Sequence, residues 1–556
     1  MNLLFDTWIP VITRSGARRK VAPVDLTDGD DPPVELAAVR HDFDGALAQF
    51  LIGVFQSFLP PRGDREWERR LREPPHRDEL LQVLGARRGA FELFDAEHPF
   101  LQDTSVSGGL AEADAVSALL IDAPGGNTLK ENKDIFVKRG KLAAFAPDIA
   151  AQALLSLQIN APSGGVGYRT GLRGGGPLST LVWPRWHGGP TAQATTLWEK
   201  VWLNVLKVDW EDDDVDWAVA LPWLRPARTS RKGDRDESIM HGSLRQGRGV
   251  DPLCYWASPR RIRLLRGDVT ARCDLSDEVV DQPVIGVLAQ NYGPNYPSDR
   301  FEHPLSPYFR GKDDPSQWLP LHPRGSGLGF RDWPTLCADT GDGSALRRAA
   351  ANVRELSRTS RRHSLKSLAA GSKALWAFGY ELDNAKVLTW QESELPLFPE
   401  YEDPVLLAQF AGCLVAAAES ARSLLRGALK EVFGSADTSL SDAAERLLFD
   451  QSEPAFYAAL NAFVGLPPQS DGEPADRDLR ERWASTLRHV LLHVFDSYAD
   501  SADVIADTRL RHVKLVAQAR GRLLGLWQSQ YRKILSLPVP DDGAAAVVSR
   551  QSRSGA

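Results

Sequence analysis

The stretch Pro396-Leu397-Phe398-Pro399 divides the sequence into two parts with different patterns. After it, apolar residues recur at helical spacing of three and four, as in Leu487, Val490 and Leu491. Glycine and proline breaks separate four such segments, so the sequence predicts a C-terminal four-helix bundle. The four predicted helices are approximately Pro404–Phe433, Leu440–Val464, Ala475–Tyr498 and Thr508–Ile534.

Before the same boundary the pattern is mixed. Short apolar runs such as Thr180–Trp183 and Val284–Leu288 are bounded by glycine and proline, which predicts strands. Helical spacing over Phe43–Phe58 predicts a helix that stops at Pro60-Pro61. The predicted fold class is therefore α+β, with a mixed domain of residues 1–401, a four-helix bundle of residues 402–540 and an unstructured tail of residues 541–556.

Length and composition describe an ordinary globular protein with more than one structural unit. The chain has 556 residues, of which 43% are hydrophobic and 25% are charged, and one core rarely grows to that size. No run of about 18 apolar residues and no signal-peptide pattern is present, so we expect a cytoplasmic protein without a membrane partner. The four cysteines lack any CxxC pairing, which predicts buried thiols.

The distribution of charge is uneven. A net charge of −7 argues against a protein that coats nucleic acid indiscriminately. Locally, however, residues 346–373 carry eight basic side chains and one acid, and further basic stretches occur at Arg225–Arg235 and Arg260–Arg272. The basic residues of 346–373 are either a solvated helix face or, together with the other two stretches, one cationic surface.

The sequence contains none of the common catalytic patterns. It has no HExxH zinc helix, no GxxxxGK[ST] phosphate loop and no GxSxG nucleophile elbow. The His41-Asp42 dipeptide and the acidic run Glu211–Asp214 are weak metal-site candidates, because exposed acidic loops are far commoner than metal sites. We therefore expect no enzyme activity, no cofactor and no metal, with a metal-dependent nuclease of a nucleic-acid defence system as the alternative.

A glycine-rich stretch, Asn160–Pro177, is the first candidate for ligand binding. It contains seven glycines, with Tyr168, Arg169 and Arg173 between them. Glycine permits positive φ and lets backbone N–H groups approach a ligand closely. Such a loop fits a DNA minor groove, which is only about 6 Å wide, although a series of tight turns without a ligand gives the same composition.

A second candidate stretch, Phe378–Trp390, follows the basic segment. Its centre, Asp383-Asn384-Ala385, has the short polar side chains of a turn. A rigid tip beside positive charge could act as a wedge in a duplex, and the same sequence is equally typical of a β-hairpin.

Four further motifs give these stretches a context. Phe5–Val11, Glu97–Gln102, Gly171–Gly175 and Glu302–Pro307 occur with the block Gly379-Tyr380-x-x-Asp383-Asn384 in one order along the chain. Together with the C-terminal helices, they resemble the large subunit of the type I-E CRISPR surveillance complex Cascade, the CasA family. The resemblance covers essentially the whole chain, and the ordered combination is more specific than any single motif.

The resemblance implies a non-catalytic subunit that recognises a protospacer-adjacent motif in double-stranded DNA and starts strand separation. Pairing to guide RNA would read the remaining target, and the implied partners are guide RNA, the other Cascade subunits, target DNA and a recruited helicase–nuclease. The motif-reading glycine loop corresponds to Ala161, Pro162, Ser163, Gly164, Gly165, Val166 and Gly167. The strand wedge corresponds to Asp383, Asn384 and Ala385.

A further loop resembles the family's contact to the guide RNA handle and the neighbouring backbone subunit. This contact corresponds to Phe136 with the cations Lys133, Lys138 and Arg139.

The sequence departs from the family pattern in two places. The family often has a lysine near Gln290-Asn291 that contacts the motif, and here that lysine is absent, so Gln290 or Asn291 is the possible motif contact. Some relatives carry a cysteine cluster in the region Cys254–Cys273, but two cysteines cannot complete a four-ligand structural zinc site. We therefore expect no zinc.

Overall fold

The computed structural model describes most of the chain in two compact units. One unit comprises residues 1–328 and 335–399, and the other comprises residues 329–334 and the chain from residue 400 onward. The described residues are 1–123, 141–185, 194–232, 242–244, 247–297, 301–311, 314–325, 327–338, 346–368, 373–383, 386–434, 438–466, 476–500 and 509–537.

The first unit contains fourteen strands among its described residues. They are β1 (Ile9–Thr13), β2 (Arg18–Val21), β3 (Pro33–Leu36), β4 (Asp114–Ala115), β5 (Ser179–Val182), β6 (Arg261–Arg266), β7 (Ala271–Arg272), β8 (Val279–Val280), β9 (Val284–Gln290), β10 (Tyr308–Arg310), β11 (Trp318–Pro320), β12 (Arg347–Arg348), β13 (Ala374–Asp383) and β14 (Lys386–Pro396). They pair into small antiparallel sheets in the orders β2-β1-β3, β11-β10-β12, β14-β13-β5, β4-β9-β6 and β7-β8. The two strands predicted from apolar runs are confirmed as β5 and β9.

Helices of the first unit are mostly short. They are α1 (His41–Phe58), α2 (Asp64–Arg72), α3 (Arg77–Gly85), α4 (Pro147–Asn160), α5 (Leu197–Trp202), α6 (Trp217–Ala220), α7 (Leu253–Trp256), α8 (Trp333–Leu336, which begins within residues 329–334), α9 (Ala351–Arg354) and α10 (Thr359–Ser367). Short 3-10 turns lie at Pro23–Asp25, Arg88–Phe91, Val116–Leu119, Asp212–Asp214, Pro222–Leu224 and Glu355–Ser357, and in the second unit at Phe330–Asp332.

The core of the first unit surrounds α1. This helix is apolar on nearly all sides and almost every residue is buried, as expected of a helix enclosed by other elements. Phe50 lies at the centre, with ring centroids 5.3 Å from Trp8 and 5.9 Å from Trp256. The prediction of a helix over Phe43–Phe58 is confirmed, with its beginning two residues earlier than expected.

The second unit is the predicted helical bundle. Its helices are α11 (Pro404–Phe433), α12 (Thr438–Val464), α13 (Arg477–Asp500) and α14 (Arg509–Ile534). Their buried side chains, among them Leu414, Phe456, Leu487 and Trp527, form its core. The predicted helix ends agree with the structure to within two residues.

One short segment from earlier in the chain belongs to this second unit. The ring of Phe330 lies 4.7 Å from that of Phe456 and 6.0 Å from that of Trp483, and Phe330 is 1% exposed. The backbone N–H of Phe330 also donates to the Glu453 carboxylate at 3.2 Å. Residues 329–334 therefore complete the bundle core.

Helix α11 is, by length and composition, apolar enough to cross a membrane. Its mean hydropathy over the most apolar window is 1.5, and 44% of that window is buried inside the protein. A core helix of a bundle passes the same test, so this pattern is weak support for a membrane span.

Candidate nucleic-acid interface

The glycine loop begins where α4 ends and leads toward β5. Gly165 and Gly167 have φ values of 75° and 79°, a region that side chains other than glycine rarely adopt. A Cβ at Gly167 would lie 3.0 Å from the Cβ of Asn291 and from the ring of Tyr292. Both the turn and the close approach therefore require glycine at residue 167.

Backbone contacts on both sides hold this loop in place. The Asn291 side-chain amide donates to the Val166 carbonyl at 2.7 Å, and the Tyr292 backbone N–H donates to the Gly167 carbonyl at 2.8 Å. On the other side, the Arg260 guanidinium donates to the Pro162 carbonyl. Because its base is fixed, the loop projects one apolar side chain, Val166, which is 74% exposed.

The structure brings the two predicted motif-contacting segments together. Gln290 ends β9 and Asn291 follows it, both are exposed, and Asn291 contacts the glycine loop. The amide of Asn291 has two N–H donors and one acceptor oxygen, and Val166 uses one donor. Sequence reasoning placed both segments in one site only through the family resemblance, because they lie 125 residues apart.

Aromatic and cationic side chains surround the exposed loop. The guanidinium carbon of Arg260 lies 4.6 Å from the centre of the Tyr168 ring, and that of Arg231 lies 5.7 Å from the Tyr292 ring. Arg169 donates to the Ser230 hydroxyl at 2.6 Å. The first two contacts are cation–π interactions and the third is a hydrogen bond. Together they place three positive charges around the loop.

Arg173 has a different role from the other arginine of the same stretch. It is 4% exposed and donates to the hydroxyls of Ser179 and Ser306 at 2.8 and 2.9 Å, and to the side-chain oxygen of Gln49. Burial lowers the pKa of its guanidinium to about 10. Arg173 therefore supports the fold and does not face a ligand.

The second candidate stretch is a β-hairpin. Strands β13 and β14 pair over their whole length, and Asp383 pairs with Lys386. The ring of Trp390 lies 5.5 Å from that of Phe378 and 5.0 Å from that of Tyr380, which stiffens the pair of strands. The hairpin interpretation is confirmed; of the predicted wedge, Asp383 ends β13, and Asn384 and Ala385 lie outside the described residues.

Glycines connect this hairpin to the glycine-rich stretch. A Cβ at Gly176 would lie 2.5 Å from the Tyr380 carbonyl, and one at Gly379 would lie 2.5 Å from the Pro177 carbonyl. The seven glycines therefore serve two purposes. Gly165 and Gly167 shape the exposed loop, whereas Gly176 lets the following backbone pack against β13.

The basic residues of 346–373 do not form one free cationic face. Arg348 and Arg354 both pair with the carboxylate of Glu302, the former at 2.9 Å. Arg361 is 1% exposed, lies 4.2 Å over the Trp67 ring and donates to the Val205 carbonyl at 3.0 Å. These three of the eight basic side chains in this segment are therefore used in contacts within the fold.

The predicted guide-RNA contact lies outside the described residues. It comprises Phe136, Lys133, Lys138 and Arg139.

The weak metal-site candidate His41-Asp42 forms ordinary contacts with other side chains. Asp42 is buried and accepts from Arg40 Nε at 2.8 Å and from the Ser156 hydroxyl at 3.0 Å. Its neighbour His41 is 77% exposed and faces Glu392 at 3.2 Å. Among the described residues, no group of three His, Cys, Asp or Glu side chains is arranged to hold a metal ion.

Three of the four carboxylates in the acidic run Glu211–Asp214 pair with an arginine. Glu211 pairs with Arg62 at 2.8 Å, Asp212 with Arg87 at 2.7 Å, and Asp214 with Arg248 at 2.6 Å. The three carboxylates therefore have separate cationic partners.

Comparison with known proteins gives one family and a set of related folds. The family described as CRISPR-associated protein Cse1 matches residues 2–494. A CRISPR-associated protein from Thermus thermophilus has a similar crystal structure, with a TM-score of 0.67, 20% identity, and coverage of 95% of this chain and 99% of that one. Cse1 from Thermobifida fusca gives a TM-score of 0.65 at 17% identity, covering 97% and 99% of the two chains.

A chain from a structure described as a CRISPR RNA-guided surveillance complex is also similar. Its TM-score is 0.65 at 16% identity, with coverage of 94% of this chain and 99% of that one. These identities establish similarity of fold, and the family match extends from the first strands into helix α13.

Proposed function

Because the chain belongs to the CRISPR-associated protein Cse1 family, we propose that it is the large subunit of an RNA-guided surveillance complex of the Cascade type. In that complex it recognises a protospacer-adjacent motif in double-stranded DNA, begins strand separation and helps to recruit a helicase–nuclease. Its partners are guide RNA and the other Cascade subunits, it acts in the cytoplasm, and it has no catalytic centre of its own.

One observation supports motif recognition above all others. The backbone of the glycine loop, Ala161–Gly167, is held by Asn291, Tyr292 and Arg260, while the Val166 side chain is exposed. A fixed loop with little side-chain bulk suits the minor groove, whose width is only about 6 Å. Backbone groups of the loop and the exposed amides of Gln290 and Asn291 are the groups that would contact base edges.

The hairpin formed by β13 and β14 supports the second step, strand separation. Its aromatic pairs make it stiff, and its two strands lead directly to Asn384 and Ala385. Opening a base step costs a few kcal/mol. Pairing of the guide with the released strand offsets that cost, so the tip has only to favour the first opened step.

A substitution in the loop tests the proposed reading of the motif. Aspartate at Gly165 would be strained at a φ of 75° and would lie 3.2 Å from the Tyr168 ring, and it adds negative charge where DNA is expected. In a mobility-shift assay with the assembled complex, we expect Gly165→Asp to lower target affinity by at least roughly 100-fold, a loss of about 2.7 kcal/mol.

A matched control separates this effect from general strain. Gly16 has a φ of 89° with open space around it, in the turn between β1 and β2. Gly16→Asp introduces the same charge and similar backbone strain away from the loop, and it should leave target affinity unchanged. Equal affinity of the Gly165→Asp complex and the unsubstituted complex would overturn the proposed motif reading and favour a purely structural scaffold.

The metal-dependent nuclease is the alternative function. Purified protein incubated with plasmid DNA and Mg²⁺ or Mn²⁺ should leave the DNA intact. Reproducible cleavage that a chelator abolishes, and that persists across separate preparations, would reject the non-catalytic assignment.

A further inference from the structure

A cavity of about 300 Å³ lies within the first unit, close to the glycine loop. Three segments and Pro294 line it: residues 97–105, residues 222–228 and residues 258–261. The first segment includes the motif Glu97–Gln102, to which neither the resemblance nor the proposed function assigns a role. We refer to this space as the arginine cavity, after Arg225, Arg228, Arg260 and Arg261 in its lining.

Two of these arginines have buried donors without a partner. Within the part of the chain that the structure describes, Nε and Nη2 of Arg225 and Nε and Nη1 of Arg260 form no hydrogen bond. A buried polar N–H without a partner costs about 1–3 kcal/mol, and more on a charged group. Both side chains line the cavity, so its wall contains two arginines with unused hydrogen-bond donors.

The charge of the lining is positive. Arg261 is neutralised by Asp103, whose carboxylate lies 2.7 Å from its Nε. Burial, and secondarily the nearby charge of Arg228, lowers the pKa of Arg225; burial lowers the pKa of Arg260 to about 10. Among the described lining residues the other carboxylate is that of Glu97, which is exposed, so Arg225, Arg228 and Arg260 outnumber it.

Arg260 joins the arginine cavity to the glycine loop. Its Nη2 donates to the Pro162 carbonyl and its guanidinium lies over Tyr168, while the unpartnered Nε and Nη1 belong to the side chain that lines the cavity. The cavity and the glycine loop therefore share one side chain, Arg260.

We propose that the arginine cavity binds one backbone phosphate of the target DNA, beside the duplex that the glycine loop reads. Arg225 and Arg260 donate to the phosphate oxygens and Arg228 adds charge. A planar guanidinium donates in pairs from one edge to phosphate oxygens, and the unpartnered Nε and Nη2 of Arg225 share such an edge. Pro222, Trp223 and Pro294 give the sugar an apolar wall. The inference rests on the proposed function and extends it from motif reading to anchoring of the strand.

A backbone scan with the unsubstituted complex locates the phosphate. Duplex targets carry a single neutral methylphosphonate at each successive position around the motif, and affinity is measured for each. We expect one position to weaken binding by roughly tenfold or more, as for loss of a charge-assisted hydrogen bond. A flat scan would overturn the proposal without any protein variant.

Substitution of the arginines then assigns that position to the cavity. Arg225→Gln and Arg228→Gln should weaken binding of favoured and disfavoured motifs by the same factor, and should lower the salt slope by about 0.9 per lost contact. In the Arg225→Gln complex the sensitive methylphosphonate should cost nothing further. Arg272→Gln is the control, because Arg272 pairs with Asp277 and does not line the cavity.

The outcomes separate this inference from the proposed function. Unchanged affinity and salt slope in both variants, with motif preference intact in the unsubstituted complex, overturn the phosphate site alone. Loss of assembly on guide RNA, or a loss confined to one motif, also overturns it. A complex that shows no motif preference but keeps the arginine effect rejects the proposed motif reading and leaves the phosphate site standing.

Discussion

The conformation of the residues on both sides of Val166 keeps its side chain exposed. Gly165 and Gly167 supply the positive φ values, and the Val166 carbonyl is held by Asn291. The side chain between them is 74% exposed. At the residue scale, the candidate site is thus a fixed backbone carrying an uncovered apolar tip.

Asp44 gives a prediction about pH at the same scale. Burial first, and then the charges of Glu35 and Glu392, raise the pKa of its carboxyl to about 7. The folded state therefore holds a proton that the unfolded chain releases near its ordinary pKa of 3.8, so stability falls as the pH rises from 3.8 to about 7 and levels off above that. Asp44→Asn should therefore raise the free energy of unfolding more at pH 8 than at pH 5, by a difference on the order of 2 kcal/mol, and the thermal midpoint should rise accordingly.

Asp31 provides a control, because its pKa is lowered where that of Asp44 is raised. Hydrogen bonds from Thr13 and Ser15 lower the pKa of the exposed Asp31, so Asp31→Asn should remove stability that is present above the ordinary pKa. Thermal melting at the two pH values checks both variants. An equal effect of Asp44→Asn at pH 5 and pH 8 would show that its carboxyl is charged at both.

The sequence did not predict which arginines are buried. Arg169 and Arg173 occur in the same glycine-rich stretch, yet Arg173 is 4% exposed. Arg361 belongs to a strongly basic segment and is buried over Trp67. Burial of these side chains depends on Gln49, Ser306 and Trp67, which come from distant parts of the chain, so local composition cannot reveal it.

At the scale of elements, local patterns predicted the helices well. The breaks and apolar spacing that define α11 lie within the segment itself, and its two ends agree with the structure. The β-hairpin was one of two open interpretations, because turn-forming residues between aromatic ends fit either a hairpin or a wedge. The strands are now established, and the wedge at the tip stays a prediction.

The hairpin gives a prediction about strand separation. Asn384→Ala removes the side-chain amide of the proposed wedge, so we expect slower opening of the first base pairs and weaker binding of a closed duplex. A target with those base pairs already opened should bind almost as tightly as before, because the opening cost of a few kcal/mol is then removed. Fluorescence of 2-aminopurine beside the motif reports opening directly.

Two results would contradict this account of the hairpin. One is normal opening by the Asn384→Ala complex. The other is an equal loss of affinity for closed and pre-opened targets, which would place the residue in general DNA binding.

At the scale of the whole molecule, the contacts that local sequence patterns did not predict join residues far apart along the chain. Residues 329–334 belong to the helical unit through Phe330, although the composition change lies near residue 400. Asn291 meets the glycine loop across more than a hundred residues. Neither contact has a local signature, and the second was expected only from the family resemblance.

The central claim is that the glycine loop and the segment at Gln290-Asn291 together read a short motif. A target-binding screen over all flanking trinucleotides, run with the assembled complex and with the Gly165→Asp and Gly16→Asp variants, tests it most directly. We expect the unsubstituted and Gly16→Asp complexes to prefer the same few trinucleotides and the Gly165→Asp complex to lose that preference. A flat profile for the unsubstituted complex, or an unchanged preference in Gly165→Asp, would contradict the claim.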